Sequence, residues 1–241
     1  MELLFYILLV VIAFLYASVG HGGASGYLAL MAFFSFTPEI MRPVGLLLNI
    51  FVSLVAFLKF YRGGYFRWNL FWPFAVSSIP AAYLGGFILI DPGIYKKILG
   101  VLLIFSIIRL IGFDYKNNTS QKSLNLTGAL LAGALIGLFS GMIGIGGGII
   151  LSPIILLLNW ANMKQTAAVS ALFIFVNSLA GLGGLLAHGF VYESRMTTML
   201  IVAFIGGLAG AYFGVKKFDT LVLKSVLALV LVIASIKLLT T

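Results

Sequence analysis

Two glycine clusters constrain this chain more than any other feature. Gly20-His21-Gly22-Gly23-Ala24-Ser25-Gly26 and Gly141-Met142-Ile143-Gly144-Ile145-Gly146-Gly147-Gly148 each interrupt a long apolar run. Glycine inside a helix costs about 1 kcal/mol against alanine, so neither cluster suits an unbroken helix. A break within a bilayer leaves backbone N–H and C=O groups without intrahelical partners. Such backbone persists only where it is buried in protein or lines a wet cavity. Two matching breaks, one in each half of a chain, point to a transporter's binding site. The alternative is close helix packing, in which glycine lets two backbones approach.

The apolar runs are those of an integral membrane protein. Hydrophobic residues make up 62% of the 241 and charged residues 9%, where a soluble domain carries about 25% charged. Fifteen Lys and Arg stand against six Asp and Glu, a net charge of +9. In a membrane chain that excess reads as loops facing anionic lipid, and no basic run is long enough for a nucleic-acid partner. The chain has no Cys, which excludes disulfides, thiolate catalysis and Cys-based metal sites. Met1-Glu2-Leu3-Leu4 lacks a basic region ahead of its apolar stretch, so residues 3–19 read as mature protein and not as a cleaved signal.

The apolar segments fall at 3–19, 24–37, 44–61, 69–90 and 94–112, then at 124–143, 148–160, 166–187, 196–215 and 221–239. Spanning takes roughly 17–25 residues, so 24–37 and 148–160 read as half-helices that start at the glycine clusters. The series is five segments written twice. Gly20, Gly22 and Gly23 align with Gly144, Gly146 and Gly147. Val44, Leu47 and Ser53 align with Val169, Leu172 and Ser178, and Lys97 aligns with Lys224. The expected organisation is a first membrane repeat over 1–112, a polar linker over 113–123 and a second repeat over 124–241, as two similar bundles folded against each other.

Lys and Arg test the topology. With an odd number of crossings per repeat, Lys59, Arg62, Arg67, Arg109, Lys116, Lys122, Lys164, Lys216, Lys217 and Lys224 share one side. Arg42, Lys96, Lys97, Arg195 and Lys237 share the other. An even number evens out the split, so the positive-inside rule prefers the odd count. Odd crossings make the repeats inverted and place both termini outside. The fold class expected is an all-α polytopic membrane protein of two tandem inverted repeats. Each repeat is a glycine-tipped broken or re-entrant hairpin plus three transmembrane helices, set in the inner or plasma membrane of the cell.

Phe139-Ser140-Gly141-Met142-Ile143-Gly144-Ile145-Gly146-Gly147-Gly148, followed by an apolar run to Pro153, resembles the signature of the TauE/SafE family of sulfite exporters, also known as toluene-sulfonate uptake permeases. The resemblance extends over essentially the whole chain and includes His188-Gly189 after the third segment of the second half. It implies a transporter, and not an enzyme, that exports a small sulfur oxyanion such as sulfite or an organosulfonate by alternating access. An anion channel, or a carrier of a different small organic anion, is the alternative. The first half departs from the second, with His21 where Ile145 stands and Ala24 where Gly148 stands.

The residues themselves offer chemistry for an anion. If the hairpins enter from opposite faces, their tips meet near the midplane and two helices begin there, from Ala24 and from Gly148. A helix N-terminus presents unpaired N–H groups and about half a positive charge. Two of them make an anion site with no buried Lys or Arg. The expected contacts are Gly20, Gly22 and Gly23 at the first tip and Gly144, Gly146, Gly147 and Gly148 at the second. Ser25 and Ser140 offer hydroxyls either to substrate or to their own helix backbone. His21 either donates to the anion or carries a coupled proton, or else stays neutral and holds the broken backbone. Ser53, Asn177 and Ser178 lie in segments that should pack on the tips. Asn49 is a second-tier candidate whose amide needs a partner, as is His188, read as a gate or interface residue.

Glu2, Glu39, Asp91, Asp114, Glu193 and Asp219 all sit at segment ends or in loops, which disfavours a carboxylate proton relay. Electrogenic uniport or a His-linked proton coupling remain. No cofactor or metal is expected, since no His cluster and no nucleophile–base pair is present. The partners are the bilayer and a small anion, with monomer and homodimer both open.

Overall fold

The computed structural model describes residues 2–18, 24–111, 121–190, 192–210 and 220–240. They form ten helices: α1 Glu2–Ser18, α2 Ala24–Phe33, α3 Pro38–Arg62, α4 Trp68–Phe87, α5 Pro92–Ile111, α6 Leu126–Ile143, α7 Gly148–Leu157, α8 Met163–Ala187, α9 Ser194–Ala209 and α10 Thr220–Thr240. The first five are 17, 10, 25, 20 and 20 residues long, and the next five are 18, 10, 25, 16 and 21. Four of them, α3, α4, α6 and α8, are long and apolar enough to cross a bilayer. Exposed Phe51 and Val55 on α3, Leu131 and Leu135 on α6, and Ile201 and Ile205 on α9 are side chains that water would penalise and lipid accepts. This is a multi-pass, all-helical membrane protein.

Local chemistry sets the helix boundaries. Asn125 opens α6 by accepting from the Gly128 amide at 3.1 Å. Asn162 and Gln165 form a reciprocal capping box at the start of α8. α3 begins earlier than its apolar run suggested, at Pro38 and not near Val44. Thr37 is extended and Pro38 takes the first helical turn, where a missing N–H forfeits nothing. Pro43 lies further inside that helix, so Arg42, ahead of the apolar run at 44–61, is helical.

The packing crosses the halves of the sequence. α4 lies along α6 and α8, while α9 lies along α1 and α3. The picture of two separate bundles folded against each other therefore gives way to an interlocked one. α4 and α6 run parallel, with Gly133 on Phe74, Gly137 on Ser78 and Gly141 on Ala82. α1 and α9 also run parallel, with Gly206 on Val10 and Gly210 on Phe14. α3 and α8 run antiparallel, since Leu46 meets Gly181 while Tyr65 meets Lys164. In lipid, where apolar burial does not drive helix pairing, such small-residue seams let backbones touch.

Polar contacts gather at the two ends of the bundle. At one end Lys164 donates to the Tyr65 hydroxyl at 3.1 Å, Arg67 to Gln121 at 2.6 Å, and Gln121 to Gln165 at 2.9 Å. At the other, Arg195 pairs with Glu2 at 3.7 Å and Lys237 donates to the Phe33 carbonyl at 2.5 Å. A Cβ at Gly137 would stand 2.6 Å from the Ser78 Cα, whereas one at Gly207 would meet nothing within 4 Å. Gly137→Ala should therefore lower stability in detergent by about 1–3 kcal/mol through overpacking. Gly207→Ala should be neutral or gain up to about 1 kcal/mol. Thermal unfolding of the two variants checks the pair.

Candidate functional site

The second glycine cluster is a helix break. α6 ends at Ile143, and Gly144 caps it in the left-handed region at φ 84°, its N–H bonded to the Ser140 carbonyl at 2.8 Å. Gly146 and Gly147 follow at φ 78° and 76°, conformations that favour glycine, and Gly148 starts α7. Every residue from Ile143 to Ile149 is buried.

The break is unequal in its hydrogen bonding. Three of its carbonyls are taken by side chains: Gly141 by Arg42 at 3.3 Å, Ile143 by the Tyr95 hydroxyl at 3.0 Å, and Gly144 by the Asn49 amide at 3.3 Å. Its donors are not matched in the same way. Helix geometry leaves the N–H groups of Gly148 and Ile149 without intrahelical acceptors, at the positive end of the α7 dipole. The break is thus rich in donors, which is the electrostatics an anion requires and a cation does not.

Unpartnered polar side chains stand around it. The Ser140 hydroxyl, the Asn177 carbonyl oxygen, the Ser178 hydroxyl and the Arg42 Nε are buried and have no hydrogen-bond partner. Ser140 sits beside the tip, its Cβ 3.5 Å from where a Cβ of Gly147 would lie. Asn177 donates its amide to the Phe173 carbonyl of its own helix at 2.8 Å. The Phe173 ring and Ile136 cover Gly147, and Ile174 covers Gly148. Buried polar atoms are nearly always paired, so such a set calls for an explanation.

The other sequence-based candidates lie as follows. Gly20, His21, Gly22 and Gly23 fall outside the described residues, as does 112–120 of the linker region. Ser25, at the start of α2, is buried and its hydroxyl pairs with the Tyr16 hydroxyl at 2.8 Å. Ser53 is buried and donates to the Asn49 carbonyl of its own helix at 2.5 Å. His188 caps α8 and is exposed, its ring edge-on to Phe87 at 5.2 Å, well away from the tip.

The sequence profile described as sulfite exporter TauE/SafE matches residues 5–238. The chain belongs to the TauE/SafE family. It is 36% identical over 233 residues to the probable membrane transporter protein y4hK of Sinorhizobium fredii, covering 95% of this chain and 94% of the relative. It is 27% identical over 150 residues to the probable membrane transporter protein MJ0441 of Methanocaldococcus jannaschii, covering 58% and 55%. A third relative is the probable membrane transporter protein MamO of Magnetospirillum gryphiswaldense, 25% identical, with 91% of this chain against 42% of the relative. No solved structure matches. Family and relatives are named as membrane transporters, not enzymes.

In this TauE/SafE protein the expected site without a buried Arg needs correction. Arg42 is only 4% exposed and reaches into the break. In sequence it is masked by Pro38 and Pro43, which bracket it and suggest a loop, although Thr37-Pro38 is itself a helix-start signal. Nothing in its own segment marks Tyr95 as a partner for a distant carbonyl. Tyr95→Phe would leave the Ile143 carbonyl unpaired in a buried setting. The expected loss is about 1–3 kcal/mol of stability, read from thermal unfolding of the detergent-solubilised protein.

Proposed function

We propose that this TauE/SafE protein is a carrier that exports a small sulfur-containing oxyanion, such as sulfite or an organosulfonate, bound at its glycine break. The observation that carries the reading is at the second tip: side chains take the Gly141, Ile143 and Gly144 carbonyls, while the Ser140 and Ser178 hydroxyls and the first amides of α7 are left over. An oxyanion accepts from all of them. Ser140, Asn177, Ser178 and the amides of Gly146, Gly147 and Gly148 are proposed for the second half-site, with Gly144, whose own N–H is held by the Ser140 carbonyl, shaping the turn. Gly20, His21, Gly22, Gly23 and Ser25 are proposed for the first.

The two halves of the chain are read as inverted repeats, each with a glycine-tipped hairpin and three further helices. The twofold series of helix lengths supports this, and so does the antiparallel run of α3 against α8, its counterpart. The α4–α6 and α9–α1 pairings also correspond, because each joins a fourth helix of one half to the first of the other. Such an arrangement suits alternating access, in which rocking exchanges two similar states around a fixed site. The burial of the tip under Phe173 and Ile174 fits an occluded state. Because the inside of the cell is negative, export of an anion gains about 2.3 kcal/mol per charge per 100 mV without a pump.

A panel of sulfite, thiosulfate, sulfate, taurine, sulfoacetate, an aryl sulfonate and carboxylate controls tests the substrate class by thermal shift. One sulfur oxyanion should stabilise selectively, by about 2.7 kcal/mol at a hundred times its dissociation constant. Ser140→Ala should unfold no earlier than wild type, since it removes an unpaired buried hydroxyl, and yet weaken that shift. No response to any anion would sink the reading. In proteoliposomes, substrate-stimulated current that reverses with the imposed potential is the expected signature, against electrically silent transport.

We also infer that the Lys164 end of the bundle faces the cytoplasm and both termini face outward, because that end gathers Arg67, Lys122 and Lys164. The chain has no native Cys to interfere with labelling. Ser35→Cys should react with a membrane-impermeant maleimide in intact cells, and Ser123→Cys only after permeabilisation. The reverse pattern would invert the assignment.

A further inference from the structure

Arg42 is the one candidate whose chemistry the break alone does not account for. Its guanidinium donates to four backbone carbonyls: Ile88 at 3.2 Å, Gly85 at 3.2 Å, Gly86 at 3.0 Å and Gly141 at 3.3 Å. These belong to the C-terminal ends of α4 and α6, so one side chain from α3 ties two helix ends together. The dipoles of those ends offset part of its charge, but they carry no full negative charge. Among the described residues the ion pair formed is Arg195 with Glu2, and Arg42 takes part in none. Glu39, one turn earlier on α3, is exposed.

An arginine stays protonated in a protein interior, and a buried charge is ordinarily matched by an opposite one. Here the match is partial, because Glu39 acts on the guanidinium electrostatically but is exposed and forms no ion pair with it. The Nε is buried without an acceptor as well. The cation also lies against the tip, one residue along α6 from the free hydroxyl. Gly141, which accepts from Arg42, adjoins Ser140. Gly144 lies so close that a Cβ on it would stand 2.8 Å from the Arg42 carbonyl oxygen.

We propose that Arg42 is the fixed positive charge that the transported anion neutralises, with its Nε–H donating to the anion at the second tip. This rests on the reading of that tip as the anion site, and adds the charge that selects among ligands. A ligand needs at least one full negative charge and an oxygen that accepts from both the guanidinium and the Ser140 hydroxyl. A sulfite, thiosulfate or sulfonate group meets that need, and a neutral sulfone of the same shape does not. The carbonyl clamp holds Arg42 in place when the site is empty. The anion supplies the missing counter-charge when it is full.

The test uses the full chain in detergent, as wild type, Arg42→Gln and Arg42→Lys, titrated with sodium sulfite and sodium thiosulfate at constant ionic strength. Thermal shift reads binding and size-exclusion chromatography reads folding. Folded Arg42→Gln should raise the apparent dissociation constant by about tenfold or more, the scale of a lost charged hydrogen bond. Arg42→Lys, which keeps the charge and loses the fork, should retain a saturable shift. Arg42→Gln binding as tightly as a responsive wild type overturns the proposal and leaves the tip reading intact. If Arg42→Gln does not fold, a folded Arg42→Lys that ignores both anions overturns it, and one that responds supports it. Failure of both variants to fold even in saturating anion marks Arg42 as a clamp alone, which also overturns it. A wild type that responds to neither anion removes the tip reading itself, and this one with it.

Discussion

A helix that breaks inside a bilayer must find partners for the carbonyls it releases, and the rest of this structure depends on how that need is met. α6 stops at Ile143, and the acceptors freed at Gly141, Ile143 and Gly144 are taken by side chains from α3 and α5. Lipid supplies no donors, so the partners must come from protein. Arg42 and Asn49 reach only because α3 lies directly on the break. Gly45, between them, leaves room for the Gly144 carbonyl, which a Cβ there would approach to 2.7 Å. The seam of Gly133, Gly137 and Gly141 on α4 likewise brings the ends of α4 and α6 within reach of one guanidinium. Close packing and the broken site were alternatives in the sequence. In the structure they are one device, since the packing glycines make the break affordable.

What the break does not satisfy carries the functional argument. An unpaired buried hydroxyl or amide oxygen costs about 1–3 kcal/mol. A whole domain is stable by only about 5–15 kcal/mol, so several such groups in one place are a large concession. Ser140, Asn177 and Ser178 make that concession near a tip where side chains take the Gly141, Ile143 and Gly144 carbonyls. A packing role alone would be better served by alanine at each position. The proposed anion would accept from the two hydroxyls and the backbone amides; the Asn177 oxygen is itself an acceptor and is not satisfied by it.

The sequence displayed the fold well and the site unevenly. Membrane class, the helix series and both half-helices were legible because hydropathy and glycine act locally, over one or two turns. Gly144, Gly146 and Gly147 were legible for the same reason, and their positive φ angles follow from composition. Ser140, Asn177 and Ser178 stood out as polar residues in apolar runs, and each is buried. Arg42 and Tyr95 were not legible. Their partners lie 99 and 48 residues away along the chain, a separation no local pattern encodes. The interlocking of α4 and α9 was hidden for the same reason.

The charge at Arg42 also breaks the symmetry that the repeats suggest. On the alignment that matches Ser53 with Ser178, the position of Arg42 falls on Ala167 and that of Asn49 on Ile174. α8 therefore offers no cation and no amide where α3 offers both. A carrier whose two hairpins were chemically equal would hold an anion equally well facing either side. In the alternating access proposed above, the charge on α3 and the single histidine of the Gly20–Gly23 cluster would give each state a different set of donors for the anion. The two orientations then differ in free energy by whatever the anion gains from one set over the other, and a ligand shifts such an equilibrium only through that difference. In a pseudo-symmetric carrier of the kind proposed, a single unmatched arginine would be enough to give the cycle a preferred resting side.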